Sequence, residues 1–191
     1  MKVKLVVIGT SLGGLTALRW LLSALPQDFP SPVAIVQHRS AESGPALDMI
    51  LRKSCALKIV EPQDKEPILP GAVYIAPPDY HLMVEGTTFA LSTEGTVSYA
   101  RPSIDVLFES AARAYSGGVV GVVLTGANRD GARGAAAIKS RGGYLIVQSP
   151  EEAECAVMPR AALAAAHADQ VLRLGAIGTF LVDLCEEERS E

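Results

Sequence analysis

Runs of apolar, β-branched residues alternate with helical patterns along nearly the whole of this chain, and that alternation limits the folds open to it. Val3–Ile8, "SPVAIVQ", "ALKIVEP", "GAVYIAPP", "GVVGVVLTG", "YLIVQ" and "QVLRL" read as strands. Several of them are apolar at every position, so both faces must be covered, as in a mostly parallel sheet between two helical layers. Between them lie Leu15–Leu25, with Leu15, Leu18, Leu22 and Leu25 on one face, and "GPALDMILRKS". "RPSIDVLFESAARAY" follows, with Ser103 placed as its cap and Val106, Leu107, Ala111 and Ala114 apolar. "DGARGAAAIKSRGG" is opened by Asp130 and closed by Gly142–Gly143; "MPRAALAAA" and Ala176–Glu188 complete the helices, with the acidic end "EEERSE" expected to fray. The segments "HLMVEG" and "TFALST" sit too close for an intervening helix and predict a small antiparallel hairpin turning near Glu85–Gly86. The expected fold is a three-layer α/β/α sandwich with a doubly wound sheet. No linker or repeat divides it, so residues 1–191 read as one domain.

Bulk properties exclude several functions. A formal net charge of −4 gives no electrostatic footprint for nucleic acid or an anionic membrane. Cys55, Cys155 and Cys185 are dispersed, which predicts reduced thiols in a cytoplasmic protein and no cysteine metal site. "MKVKLVVIGTSLGGL" superficially resembles a signal peptide, but its apolar run ends after Leu5–Ile8, and a buried first strand explains it better. No apolar run approaches the ~18 residues that a membrane span needs.

In a doubly wound sheet, ligands bind beyond the carboxyl ends of the strands, so chemistry is sought there. The first strand leads into "VVIGTSLGGLTAL". A dinucleotide loop requires glycine at position 11, which is Ser11, and a phosphate-binding P-loop requires a lysine where Leu15 stands. Gly9-Thr10-Ser11-Leu12-Gly13 instead fits G-x-S-x-G, a strand-to-helix elbow that exposes a serine oxygen next to a helix N-terminus. The same pattern also occurs where a serine merely caps a helix. A nucleophilic serine needs a base and an orienting group. His38 follows the second strand directly; His81 begins the hairpin on a less constrained segment; His167 ends an alanine-rich helix and faces solvent. Asp130 follows a buried strand, with capping of its own helix as the alternative role, and Asp79 is its rival. Glu42, Asp48, Glu61 and Asp64 do not satisfy the strand-end criterion. The order Ser11, His38, Asp130 differs from that of α/β-hydrolases, so the chemistry would sit on a different fold.

Taken together, "IGTSLGG", "QH" after the second strand, "YIAPPDYHL", "RPSIDVLFESAA", "GVVLTGANRDGARG" and "VMPRAAL" resemble the catalytic domain of the CheB-type protein-glutamate methylesterases of bacterial chemotaxis, from about Val3 to Leu174. The resemblance implies hydrolysis of glutamyl methyl esters, and amidase action on glutamines, of chemoreceptor cytoplasmic helices. It places the nucleophile at Ser11, the base at His38 and the aspartate at Asp130, with backbone N–H groups of Leu12 and Ala127 around the oxyanion. No metal or cofactor is called for, and neither nucleic acid nor membrane insertion is expected. The family loops usually read G-A-S-T-G-G and G-M-G-x-D-G, so Thr10, Leu12, Ala127 and Asn128 are departures. Members commonly carry an N-terminal receiver domain. This chain starts at the first catalytic strand, so it reads as either a stand-alone member or an excised domain, and any control is expected from a separate protein, such as a response regulator. A docking module that keeps the fold without the activity is the alternative reading.

Overall fold

A computed structural model describes residues 2–39 and 46–187. Its sheet has seven strands, all parallel, in the order β3-β4-β2-β1-β7-β8-β9. These are β1 Leu5–Thr10, β2 Val33–Gln37, β3 Lys58–Val60, β4 Ala72–Ile75, β7 Val119–Val123, β8 Tyr144–Gln148 and β9 Gln170–Leu172. The remaining pair, β5 His81–Glu85 and β6 Thr88–Ser92, forms the expected antiparallel hairpin. The three-layer α/β/α expectation holds.

Alternation within the central strands sorts the two faces. Val6, Ile8, Val33, Ile35, Val120 and Val122 pack beneath α1 (Gly14–Ser23), α2 (Ala46–Arg52) and α6 (Leu174–Glu187). Leu5, Val7, Ala34, Val36, Val119 and Val123 face α3 (Ile104–Tyr115), α4 (Ala132–Ser140), α5 (Val157–Ala165) and the hairpin. Buried on both sides, these strands could only be continuously apolar. Tyr74 of β4 meets Phe89 of β6 with ring centroids 4.8 Å apart, which seats the hairpin on the second face.

Some boundaries differ from the sequence reading. β1 runs Leu5–Thr10, not Val3–Ile8, because Thr10 still pairs with Gln37 at the end of β2. The first helix stops at Ser23, and Leu25 is buried beyond it. On α3, Phe108 faces the core while Ala114 is exposed. The Gly142–Gly143 closure of α4 is as expected: Gly142 is left-handed at φ 79°, and both N–H groups return to the last turn. The last helix begins at Leu174, two residues early, and includes Glu186 and Glu187. The rest of "EEERSE", together with Glu42 and the start of "GPALDMILRKS", lies outside the described residues.

The chain starts in the middle of the sheet at β1, builds outward through β2 and β4, then crosses to β7 and continues the other way. The order therefore reverses between β1 and β7. α1 leaves β1 toward one face, and α4 leaves β7 toward the other. That divergence opens a crevice at the carboxyl end of the sheet.

Candidate active site

Ser11 follows β1 at this crevice. Its N–H donates to Thr125 O, just past β7, at 3.0 Å. Its carbonyl accepts the Gln37 amide at 2.9 Å and the Gly14 N–H at 2.9 Å. The C=O and N–H of a trans peptide point in opposite directions. Anchoring Ser11 O to Gln37 and Gly14 therefore turns the Leu12 N–H to the other side. The elbow has no room for side chains: a Cβ on Gly14 would stand 2.0 Å from Gln37 Oε1, and one on Gly9 would stand 2.3 Å from Ile104 Cγ2. Gly13, at φ 79°, starts α1. Thr10, a departure from the family loop, is buried and ties its hydroxyl to Thr125 O at 2.8 Å.

His38 stands beside Ser11, since its N–H bonds Thr10 O at 3.1 Å just past the last β1–β2 pair. Its Nε2 lies 2.7 Å from Asp130 Oδ2. Asp130 is wholly buried and accepts five hydrogen bonds, from His38, the Ser103 hydroxyl and the backbone N–H groups of Ile104, Asp105 and Gly131. Burial pushes its carboxyl up, but the bonds from His38, Ile104, Asp105 and Ser103 outweigh this and hold it below the usual carboxylate range.

Asp130 does cap a helix, but not the one expected. Two of its donors, Ile104 N–H and Asp105 N–H, belong to the first turn of α3. At the start of α4 the Gly131 N–H is shared between Asp105 Oδ1 at 2.9 Å and Asp130 Oδ1 at 3.1 Å, and the Gly134 N–H goes to Asp105 Oδ1 at 2.8 Å. The two helices exchange caps. Burial pushes the Asp105 carboxyl up, and the Asp130 charge adds to this against the Gly134 and Arg133 contacts. Ser103, read as the α3 cap, makes no side-chain cap bond because its hydroxyl is spent on Asp130 at 2.8 Å.

The other candidates fall away from this pair. His81 is buried and firmly held, not loosely placed: its Nδ1 accepts the Ser103 N–H and its Nε2 donates to Gly95 O. His167 is exposed. Asp79 is exposed on a left-handed residue (φ 62°) and shares with His38 a cleft of about 510 Å³, also lined by Arg39, Tyr99, Arg101 and Asn128. A larger groove of about 710 Å³, lined by Arg19, Trp20 and Lys53, holds none of Ser11, His38 or Asp130. Among the described residues, the Leu12 and Ala127 N–H groups have no intramolecular acceptor. Three participants escaped the sequence reading. Gln37 and Thr125 hold the elbow, and Asn128 places its Nδ2 at 3.3 Å from His38 Nδ1. All three stand in motifs that carry the family resemblance, Gln37 in "QH" and Thr125 and Asn128 in "GVVLTGANRDGARG", but none was given a role there.

Fold and site together define the class: a doubly wound α/β protein of the serine-hydrolase type, with histidine and buried aspartate paired beside an elbow serine. The CheB methylesterase family model matches residues 6–181, and the chain belongs to that family. It is 46% identical over 185 residues to a Leptospira interrogans protein named putative protein-glutamate methylesterase/protein-glutamine glutaminase, covering 96% of each chain. It is 41% identical to protein-glutamate methylesterase/protein-glutamine glutaminase 2 of Caulobacter vibrioides, covering 94% of this chain and 53% of that one. The crystal structure of the Thermotoga maritima CheB methylesterase catalytic domain superposes with a TM-score of 0.91 at 34% identity, over 96% of this chain and all of that one. No helix among the described residues is long and apolar enough to cross a membrane.

Proposed function

We propose that this chain, acting as one catalytic domain, hydrolyses methyl esters of glutamate side chains on the cytoplasmic helices of chemoreceptors and deamidates particular glutamines there. Ser11 Oγ attacks the side-chain carbonyl while His38 takes its proton on Nδ1, the ring nitrogen not engaged by Asp130. Asp130 fixes the ring and stabilises the imidazolium. The Leu12 and Ala127 N–H groups receive the oxyanion, each such donor worth about 10²–10³ in rate at comparable acyl-transfer sites. His38 returns the proton to the departing methoxide, or to the amine of a glutamine, and methanol or ammonia leaves. Water, deprotonated by His38, then attacks the acyl-serine, and its collapse restores Ser11 and frees the glutamate.

The observation that carries this reading is the 2.7 Å pairing of His38 with a fully buried carboxylate, one strand over from Ser11, in a chain of this family. The test is methanol release from membranes bearing methylated chemoreceptors. Ser11→Ala should abolish release, by roughly 10³-fold or more, with unchanged circular dichroism and melting. Wild-type turnover in that variant would overturn the reading.

A further inference from the structure

The nitrogen that the proposed mechanism needs is already engaged. With Nε2 on Asp130, the lone pair of His38 Nδ1 faces Asn128 Nδ2 at 3.3 Å. The orientation of the Asn128 amide is set from its other end, where Oδ1 accepts the Asp130 N–H at 3.1 Å. An amide NH₂ can only donate, so the nitrogen facing it must be bare, and the proton sits on Nε2. Two contacts therefore demand one tautomer. Ser11 Oγ has no hydrogen-bond partner among the described residues, so it does not compete for that lone pair in this state.

We propose that Asn128 is a positioning residue that parks the general base. It donates to His38 Nδ1 in the free enzyme, holds the ring neutral with its lone pair toward the crevice, and yields that lone pair when bound ester brings Ser11 onto it. This rests on the Ser11–His38–Asp130 reading above. At 3.3 Å the contact is long enough to be exchanged for the serine hydroxyl without a large penalty. It has a second effect, because protonating Nδ1 would point an N–H at an NH₂ whose own oxygen is taken by Asp130. Losing that donor, or exchanging it for an acceptor, therefore makes the imidazolium easier to form.

The other charged groups around the ring are Asp130 from the β7–α4 loop, Arg39 next in the chain and paired with Glu61, Asp79 from the β4–β5 loop and Arg101 ahead of α3. None of these side chains is altered by a substitution at residue 128, although Asn128→Gly also takes the Oδ1 acceptor from the Asp130 N–H. Replacing Asn128 by glycine removes the donor; replacing it by aspartate supplies an acceptor that favours Nδ1–H.

The experiment is the pH dependence of kcat/KM for a small activated ester, measured on the wild type, Asn128→Gly and Asn128→Asp. The acidic limb should move up by about half a pH unit in the glycine variant and by a unit or more in the aspartate variant. Superimposed limbs in all three proteins would overturn the proposal, as would loss of activity at every pH in a folded glycine variant. Should either variant fail to fold, ¹⁵N spectra of the His38 ring in the wild type decide. A proton on Nε2 and a bare Nδ1 at neutral pH are required, and a proton on Nδ1 overturns the proposal. Failure of the triad reading would look different, since Ser11→Ala would then keep its activity whatever stands at 128.

Discussion

Replacing Asp130 by asparagine changes few atoms and reverses much of the local hydrogen bonding. Oδ1 accepts from Ser103, Asp105 and Gly131, and Oδ2 from His38 and Ile104. An NH₂ at the first position would confront three donors, so it settles at the second. There it faces the Ile104 N–H, now 2.6 Å from a nitrogen, and compels His38 Nε2 to become the acceptor. Bonds to a charged acceptor are worth about 1.5–3 kcal/mol each, and a buried unsatisfied donor costs about 1–3 kcal/mol. Relief of the buried charge offsets part of this, which leaves a net loss of about 2–4 kcal/mol and a fall in Tm of about 5–12 °C for a domain of this size. The tautomer switch moves the ring proton to Nδ1 and removes the lone pair that Ser11 requires. By analogy with other Ser–His–Asp hydrolases, kcat should fall by roughly 10⁴.

The pH dependence follows from the depressed carboxyl. Asp130 is held below its ordinary range, so its stabilisation is complete above the unfolded value of about 3.9 and is lost as pH falls through the lower folded value. Calorimetry of wild type and Asp130→Asn should therefore show a gap at pH 7 that closes in strong acid, below the ordinary carboxylate range. Melting points within 2 °C of each other at pH 7, or a gap that persists undiminished in strong acid, would refute the reasoning.

Other expectations can be checked on the same protein. Gly9→Ala puts a methyl group against Ile104 and should cost about 1–3 kcal/mol in a urea titration; pairing it with Ile104→Ala should cost less than the sum of the two singles. His38→Gln should remove activity and its acidic limb together, whereas His81→Gln, which disturbs only the Ser103 and Gly95 contacts, should keep the limb and lower Tm. Ser98 and Tyr99 are both left-handed (φ 52° and 63°) in a tight turn closed by Val97 and Ala100, with Tyr99 fully exposed. Changing the pair to Asn-Gly, which suits such a turn, should stabilise the fold by about 1–2 kcal/mol.

The sheet and the serine elbow were legible because their signals are local. Doubly buried strands must be apolar throughout, and G-x-S-x-G must have glycines where Ile104 presses on Gly9 and where the backbone turns left-handed at Gly13. The strand-end rule put His38 beside Ser11 but left His81 open on the hairpin. What escaped depends on partners far along the chain. His81 looked loosely held because nothing near it in sequence announces that Gly95 O and the Ser103 N–H clamp the ring. Asp130 and Ser103 each sit where a helix cap belongs, and local pattern assigns each to its own helix. The true assignment appears only when α3 and α4 lie side by side. Asn128 is an ordinary loop residue until the ring of His38 is placed against it.

The exchanged caps have a consequence for how the native state opens. Each helix start is closed by a carboxylate from the other's segment, so neither can fray alone without stripping acceptors from its neighbour. The amides of Ile104, Asp105, Gly131 and Gly134, although 25 to 29 residues apart in the paired bonds, belong to one cooperative opening unit. In native-state hydrogen–deuterium exchange they should share one protection factor, and that opening should also release the carboxylate that holds His38.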